Sequence, residues 1–346
     1  MKAVAFEEVG RVEVRQVPDA GVEEPGDAVI RVTQTAICGS DLHLVHGKVP
    51  MEAGETLGHE AVGIVESVGS DVSAFAPGDR VVVAFVIACG TCWFCRNAQS
   101  GICEDFRNLG AGIFGGDLGG AQAELLRVPN ADANLLRVPD GVDDERAMFI
   151  GDGLTTAVYG AALGQIVAGD TVAVVGAGPI GLLSAQAARV HQPGDLVILD
   201  RDDARLDLAR SMGMTAIDVR EQDPVMALAA RTDGRGADVA IEAVGTVEAF
   251  ESAVDLVRRG GTVSVIGLYS VEQLEVSLGV YWARSLSIRF GGIAPVHAFW
   301  EDAMQRLERG ELDPTPIISH RLPLDEAAEG YRLFAEREAT KVLLVP

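Results

Sequence analysis

Basic residues are scarce in this chain of 346 residues. Lys and Arg number 28 against 51 Asp and Glu, which gives a formal net charge of −23 at pH 7. Because a surface this acidic repels phosphate groups, we expect neither nucleic acid nor an anionic membrane as a partner. The chain is nevertheless 48% hydrophobic and 23% charged, which is typical of a folded globular protein and excludes overall disorder.

We expect neither a secretion signal nor a membrane span from this sequence. The opening residues, MKAVAFEEVG, carry acids where a signal peptide needs an apolar core, so we expect no signal. Thr171–Ala188 carries no formal charge over 18 residues. Its glycines, Pro179 and polar residues favour a strand, a turn and a helix over a membrane span.

Cysteine is rare as well, with five residues in all, yet four of them lie within 15 residues. The odd number and the clustering disfavour a disulfide framework and favour metal thiolates in a reducing, cytoplasmic protein. Cys89, Cys92, Cys95 and Cys103 can fill a tetrahedral shell completely, which predicts a structural zinc site. An iron–sulfur cluster is the alternative, but the ferredoxin pattern has three residues before its last Cys and a Pro after it, and this chain has seven and none.

The length favours two domains. Short apolar runs such as Ala28–Val32 and Arg80–Ala88 indicate that the first 150 residues are mainly β. From about Gly153, strands and helices alternate, which predicts a parallel sheet with helices on both faces. The tail is mixed and contains an amphipathic helix at His297–Glu308. Leu109–Gly120, half of it glycine, indicates a surface loop or a loop that closes near a ligand.

A glycine fingerprint opens the alternating part. Gly176, Gly178 and Gly181, with Pro179 and Ile180 between the last two, read G-x-G-x-x-G. The motif follows a predicted strand and begins a predicted helix, which is the context that a dinucleotide site requires. The glycines allow a tight turn, a close approach of the pyrophosphate and close packing of helix on strand.

An acidic residue follows the fingerprint at the end of the next predicted strand. The carboxylate of Asp200 can accept hydrogen bonds from the adenosine ribose and repels a 2′-phosphate, so NAD is predicted in preference to NADP. The neighbouring Arg201 leaves some use of NADP open.

Two segments of the β-rich part carry further metal-type residues: Cys38-Gly-Ser40-Asp41-Leu-His43 and Gly58-His59-Glu60. Together with the cysteine cluster and the glycine fingerprint, in this order along the chain, they make the sequence resemble the zinc-dependent medium-chain alcohol dehydrogenases. The resemblance runs over the full length. Members with Asp in the segment between the domains include bacterial secondary-alcohol and formaldehyde dehydrogenases.

The resemblance implies an α/β protein with a GroES-like β-barrel catalytic domain and an inserted Rossmann domain, which is a doubly wound parallel sheet. We assign residues 1–153 and 294–346 to the catalytic domain and residues 154–293 to the NAD-binding domain. A homodimer or homotetramer is implied as well.

The resemblance also implies a catalytic zinc held by Cys38 and His59. The third ligand comes from the segment between the domains, where Asp152 is the candidate. Glu60 is the competing candidate, and its other roles would be an exchanging ligand or a residue behind the ligands. Asp41 would accept the other ring N–H of His59. Three protein ligands leave the fourth position open, as a catalytic zinc requires.

The remaining site residues are assigned by the same resemblance. Ser40 would pass the proton of the alcohol through the nicotinamide ribose to His43. Phe85 would line the substrate pocket, with a buried core aromatic as the alternative. The strand end that holds Ile266 and Leu268 would contact the nicotinamide. For Lys341, contact with the cofactor phosphates and full solvation are equally open.

The predicted function is hydride transfer between a small primary or secondary alcohol, or its carbonyl, and NAD, with two zinc ions per chain. A polyol or sugar dehydrogenase is the alternative within the family, although Gly151-Asp152-Gly153 departs from the Glu-Pro that such relatives carry. A catalytically inactive NAD-binding protein is the alternative from another class, and the complete set of ligand residues argues against it.

Overall fold

The chain folds as two units. The computed structural model describes residues 1–116, 118–269 and 273–346. The first unit comprises Met1–Thr155, Ile293–Gly310 and Ile318–Pro346, and the second comprises Thr156–Gly292 and Glu311–Ile317. The predicted division put all of residues 294–346 in the first unit, whereas the structure places Glu311–Ile317 with the second.

The described residues form strands and helices that we number in chain order. The strands are β1 (Lys2–Glu8), β2 (Arg11–Gln16), β3 (Ala28–Ile37), β4 (Ala61–Val68), β5 (Arg80–Val83), β6 (Val86–Ile87), β7 (Arg107–Asn108), β8 (Leu125–Val128), β9 (Leu135–Arg137), β10 (Thr171–Val175), β11 (Asp195–Asp200), β12 (Thr215–Asp218), β13 (Ala237–Glu242), β14 (Val257–Val265), β15 (Ser287–Phe290), β16 (His320–Pro323) and β17 (Val342–Val345).

The α-helices are α1 (Asp41–Val45), α2 (Trp93–Arg96), α3 (Ala131–Asn134), α4 (Asp144–Ala147), α5 (Gly153–Gly164), α6 (Pro179–Val190), α7 (Asp203–Ser211), α8 (Pro224–Arg231), α9 (Val247–Leu256), α10 (Leu278–Ala283), α11 (Val296–Glu308) and α12 (Ala327–Ala335). Short 3₁₀ turns cover Ser100–Ile102, Gly112–Phe114, Met148–Gly151, Thr315–Ile317 and Leu324–Glu326.

The first unit is built on a mainly antiparallel sheet in the order β16-β17-β3-β4-β5-β9, with β8 also paired to β3. Strand β3 lies inside this sheet, between β17 and β4. Nearly all of the side chains of β3 are buried, including Ile30 and Ile37. The last strand, β17, pairs antiparallel with β3 and sets Val342 opposite Ile37. A strand from the end of the chain is therefore held beside the residues that follow β3.

The second unit is a six-stranded parallel sheet in the order β12-β11-β10-β13-β14-β15. Its central strand, β10, is buried at every residue, as expected of a parallel strand covered on both faces. From β10 the chain continues outward to β11 and β12. It then returns to β13, on the other side of β10, and continues outward to β14 and β15. The direction reverses between β10 and β13, which creates a crevice at the carboxyl ends of these two strands.

The α/β fold class predicted from the alternation of strands and helices is confirmed. The uncharged segment Thr171–Ala188 forms β10 and most of α6, and no helix in the described ranges is long and apolar enough to cross a membrane. Helix α9 ends at Leu256, because β14 begins at Val257. In the glycine-rich segment, Asp117 lies outside the described residues, and Gly112–Phe114 forms a 3₁₀ turn.

Candidate active site and metal centres

Three side chains that are distant in sequence meet in the first unit. Cys38 follows β3, His59 precedes β4 and Asp152 follows the turn Met148–Gly151. Their ligand atoms all lie within 4.8 Å of one another. An Asp152 carboxylate oxygen is 4.0 Å from Cys38 Sγ and 3.3 Å from His59 Nε2. Thiolate, imidazole and carboxylate are the donors that zinc prefers in proteins, so this cluster fits a zinc ion with three protein ligands.

The ring of His59 is held from behind by Asp41. An Asp41 carboxylate oxygen lies 3.1 Å from Nδ1 of His59, and the other accepts the N–H of Cys38 at 2.9 Å and the amide of Gln122 at 3.2 Å. Burial alone would lower the pKa of His59, but the carboxylates of Asp41 and Asp152 raise it well above its usual value. Nδ1 faces Asp41, so the second nitrogen, Nε2, is directed to the cluster.

Three other predicted residues lie in the same unit, and two of them, Ser40 and Phe85, contact His59. Ser40 precedes α1 without a capping bond in the described structure, and its hydroxyl is 3.4 Å from His59 Nε2. The buried ring of Phe85 meets the His59 ring edge-on, with 6.1 Å between centroids. His43 is half-buried, and burial, with help from Lys48, lowers its pKa. Its buried Nδ1 finds no hydrogen-bond partner among the described residues.

Lys341 is buried, so the prediction that it is solvated is wrong, whereas contact with the cofactor phosphates stays a prediction. Its ammonium forms an ion pair with the Glu60 carboxylate, and the two side chains are only 4% and 1% exposed. Burial disfavours the ammonium, yet the charges of Glu60 and Cys38 outweigh burial and raise the pKa of Lys341. Burial raises the pKa of Glu60 against the pull of Lys341. The pairing of β17 with β3 places Lys341 beside Glu60, and no local sequence pattern predicts this pairing.

The four clustered cysteines form the second candidate metal centre. Their sulfur atoms lie within 4.8 Å of one another, and all of them are free of disulfide bonds. Main-chain amides point at the sulfurs: those of Thr91 and Cys92 donate to Cys89 at 3.4 and 3.3 Å. The amides of Cys95 and Asp105 donate to Cys92 and Cys103 at 3.4 and 3.3 Å. Such bonds stabilise thiolates and prepare the lobe for a cation.

The proton affinities of the four thiols diverge because burial opposes ionisation while main-chain amides favour it, to a different extent at each sulfur. Burial opposes ionisation of Cys89, but the amides of Thr91 and Cys92 outweigh it and lower its pKa to about 6. Amide donors also lower the pKa of Cys92, whereas burial raises the pKa of Cys95 and Cys103. A divalent cation removes this conflict, and four sulfur ligands leave it no open position.

The glycine fingerprint lies at the crevice of the second unit. Gly176 has φ +97°, and a Cβ there would lie 2.5 Å from Val244. A Cβ at Gly181 would lie 1.8 Å from the Gly176 carbonyl oxygen, so helix α6 needs glycine to pack on the turn. A Cβ at Gly178 would approach only Arg205, at 3.8 Å, which leaves this face of the turn open. Helix α6 begins at Pro179, and Ile180 is its second residue. The N-terminus of α6 lies at the crevice.

The other predicted cofactor residues lie at the same edge of this sheet. Asp200 ends β11, and its carboxylate accepts the N–H groups of Ala177, Arg201 and Asp202. Arg201 is exposed. Ile266 and Leu268 follow the end of β14, and the Leu268 side chain is exposed.

Comparison with known proteins identifies the family. The family model "Alcohol dehydrogenase GroES-like domain" matches residues 24–140, and "Zinc-binding dehydrogenase" matches residues 179–309. An alcohol dehydrogenase structure from Thermus sp. ATN1 is 44% identical, with a TM-score of 0.96 over 100% of this chain and 99% of that one. The chain belongs to the zinc-dependent medium-chain alcohol dehydrogenases.

Two curated relatives agree with this membership. The probable zinc-binding alcohol dehydrogenase of Mycobacterium tuberculosis is 39% identical over 96% of this chain and 84% of its own length. An alcohol dehydrogenase of Cupriavidus necator is 35% identical over 97% of this chain and 96% of its own. The predicted family and fold are confirmed, and the protein is an oxidoreductase that uses zinc and a nicotinamide nucleotide.

Sequence reasoning missed several residues that support this dehydrogenase site. Gln122 joins Asp41 to the hydroxyl of buried Tyr331, which donates to the Gln122 side-chain oxygen at 2.9 Å. His297 bonds Ser100 at 2.7 Å and Asn134 at 2.9 Å, and so ties α11 to the chain around the cysteine cluster. These contacts join distant segments, and none of them belongs to a local motif.

Proposed function

We propose that this protein is an NAD-dependent dehydrogenase that oxidises small primary or secondary alcohols or reduces the matching aldehydes and ketones. The convergence of Cys38, His59 and Asp152 in one buried cluster carries the proposal. These three residues would hold a catalytic zinc with one open position, and the four cysteines would hold a structural zinc. The chain would therefore bind two zinc ions.

When bound, zinc supplies Lewis-acid polarisation of the substrate oxygen, and the nicotinamide supplies an acceptor for hydride. The chain itself must position these partners and remove one proton for each alcohol oxidised. Asp41 fixes the ring of His59, and the buried Phe85 ring beside it excludes water from this wall of the site. Phe85 would thereby also limit the size of the substrate.

The proton would leave through Ser40 and His43. The Ser40 hydroxyl is 3.4 Å from a candidate ligand nitrogen, so it can contact a substrate oxygen held at the cluster. The unpaired, buried Nδ1 of His43 suits a hydroxyl of the nicotinamide ribose as its partner. Because the pKa of His43 is lowered, its ring is neutral at physiological pH and can accept the proton.

The cofactor would be NAD. Helix α6 would present its N-terminus to a pyrophosphate, and the glycine turn before it would present an open face. Asp200 places a carboxylate at the end of β11. That carboxylate favours ribose hydroxyls and opposes a 2′-phosphate. Ile266 and Leu268, beyond the end of β14, would contact the nicotinamide.

The protein would act as a homo-oligomer. Strand β15 is an edge of the six-stranded sheet in the described structure. Phe290 in this strand is exposed, and so are Leu278 and Trp282 in the preceding helix α10. An apolar, unpaired sheet edge is a surface that soluble proteins normally cover. A second copy of the chain would cover it. Sedimentation of the wild type and of Trp282→Glu tests this, because the variant should shift towards monomer.

The activity is tested by NADH formation at alkaline pH with zinc-loaded protein. The panel is ethanol, benzyl alcohol, propan-2-ol, sorbitol, glucose and threonine. We expect turnover of the simple alcohols, which Cys38→Ser should abolish while leaving NADH binding intact. Turnover of sorbitol or glucose alone would favour the polyol function instead. NADH binding without turnover of any of the six compounds would contradict the proposed activity.

A further inference from the structure

Lys341 is a buried cation that no step of the proposed reaction uses. Its ammonium contacts the carboxylate of Glu60 and lies 5.6 Å from the centre of the Phe149 ring. The negative groups of Cys38 and Asp152 also act on it. A buried ammonium requires a defined partner, because water cannot replace a lost one.

The backbone holds Lys341 in place. Strand β17 begins at the next residue, Val342, which lies opposite Ile37, the residue before Cys38. The Lys341 carbonyl accepts the N–H of Ser319 at 3.0 Å, and its own N–H is donated to the Ser319 hydroxyl at 3.3 Å. The ammonium is therefore anchored beside the catalytic cluster.

Two carboxylates compete for the position of third ligand. Glu60 adjoins the ligand His59 in sequence, whereas Asp152 is 114 residues from Cys38. Yet in the described part of the chain the compact group of ligand atoms contains Asp152 and not Glu60. The carboxylate of Glu60 faces Lys341 instead. Proximity in sequence alone would favour Glu60 and therefore does not explain the composition of the cluster.

We propose that Lys341 selects the third ligand of the catalytic metal: it holds Glu60 away from the cluster and so leaves that place to Asp152. This inference rests on the proposed catalytic zinc site. With Glu60 restrained, the cluster keeps three protein ligands and one open position for the substrate. Lys341 is thus a positioning residue, which acts through Glu60.

The test measures metal content and affinity by chelator competition in four variants. In Asp152→Asn, Glu60 stays bound to Lys341, so the catalytic metal should bind at least about tenfold more weakly. Adding Lys341→Met frees Glu60 to bind the metal and should restore the lost affinity. Adding Glu60→Gln to that double variant should remove the affinity again. Lys341→Arg in the Asp152→Asn background keeps the cation and should restore nothing.

A second measurement does not depend on the folding of the Lys341 variants. In cobalt-substituted protein, Glu60→Gln should leave the ligand-field spectrum of the catalytic site unchanged, because Glu60 is not a ligand. The spectrum of Cys38→Ser, which retains the four-cysteine site alone, is subtracted as the reference.

Three results would overturn the role of Lys341. One is full metal affinity in Asp152→Asn alone, and another is a changed cobalt spectrum in Glu60→Gln. Failure of Lys341→Met to restore affinity, with the four-cysteine metal still bound and the circular dichroism unchanged, would also overturn it. A wild type that binds one metal, with Cys38→Ser binding the same amount, would instead overturn the proposed catalytic site and with it this inference.

Discussion

The carboxylate of Asp200 accepts the main-chain N–H of Ala177 at 2.7 Å, and so links the end of β11 to the glycine turn. Its other oxygen accepts the N–H groups of Arg201 and Asp202 at 2.7 and 3.0 Å. The residue proposed to choose the cofactor therefore also shapes the turn that would bind the pyrophosphate. A substitution at this position can therefore affect both the choice of cofactor and the geometry of the turn.

Asp200→Asn tests this double role. The variant keeps an acceptor oxygen for the turn and loses the charge that opposes a 2′-phosphate, so the preference for NAD over NADP should fall. We expect the ratio of kcat/KM for the two cofactors to decrease on the order of tenfold, about 1.4 kcal/mol. Asp202→Asn, which removes the same charge at the cap of α7, is the matched control. An equal decrease in both variants would assign the effect to net charge.

Gln122→Leu should weaken the catalytic metal site without touching a ligand. The variant removes the amide that donates to Asp41 at 3.2 Å and leaves the carboxylate free to turn from His59. Loss of such a partner behind a ligand typically costs about 10–100-fold in metal affinity or activity. Chelator competition and kcat/KM measure it. Tyr331→Phe removes the hydrogen bond from Tyr331 to Gln122, which is one step further from the metal ligand, and should cost less. An equal loss would contradict the direct role of Gln122 in holding Asp41.

The stability of the first unit should depend on pH through His297. Burial lowers the pKa of His297 to about 4, while an unfolded chain has a His pKa of about 6.5. Above about pH 6.5 the ring is neutral in both states and its contribution is complete. As the pH falls towards 4, only the unfolded state takes up the proton, so stability is lost.

His297→Gln isolates this contribution. The variant removes the titrating ring, so its deficit in unfolding free energy relative to wild type should be about 2 kcal/mol larger at pH 7 than at pH 5. Denaturant unfolding at the two pH values measures it. A deficit that does not change with pH would show that the ring is protonated in the folded state or does not titrate there.

The four-cysteine lobe should loosen when its metal is removed. The four sulfur atoms lie within 4.8 Å of one another, so as thiolates they would repel one another without a cation, and a structural zinc contributes directly to folding. We expect the amides of Thr91, Cys92, Cys95 and Asp105, which point at sulfur, to exchange with deuterium at least about tenfold faster after chelation. Cys38→Ser, which affects the other centre, should leave their exchange unchanged.

The parts of this protein that are local in sequence could be predicted from it. The four cysteines, the glycine fingerprint and the alternation of strands and helices each lie within a short segment, and their geometry follows from spacing. The structure places Gly176, Gly181 and the cysteines in the arrangement that such spacing predicts. Asp152 follows only from the family resemblance, because its partner Cys38 is 114 residues away.

The residues around the catalytic cluster could not be predicted in this way. Lys341 is one of only three lysines and has no motif around it, so its burial follows from the register of β17 on β3. The bond of Gln122 to Asp41 spans 81 residues and depends on the start of α1 meeting the loop before β8. A pattern in the sequence reports periodicity and spacing, whereas these contacts are fixed by which strands pair.

The register that sets Val342 opposite Ile37 also has a consequence for the order of events during synthesis. The sulfur lobe closes within 15 residues, so a nascent chain holds all four of its thiolates once Cys103 has left the ribosome. The other centre needs a lysine 281 residues beyond Glu60. Until the final strand emerges, Glu60 has no counter-ion, and both carboxylates are available to a metal. The two centres are therefore completed at different stages of translation.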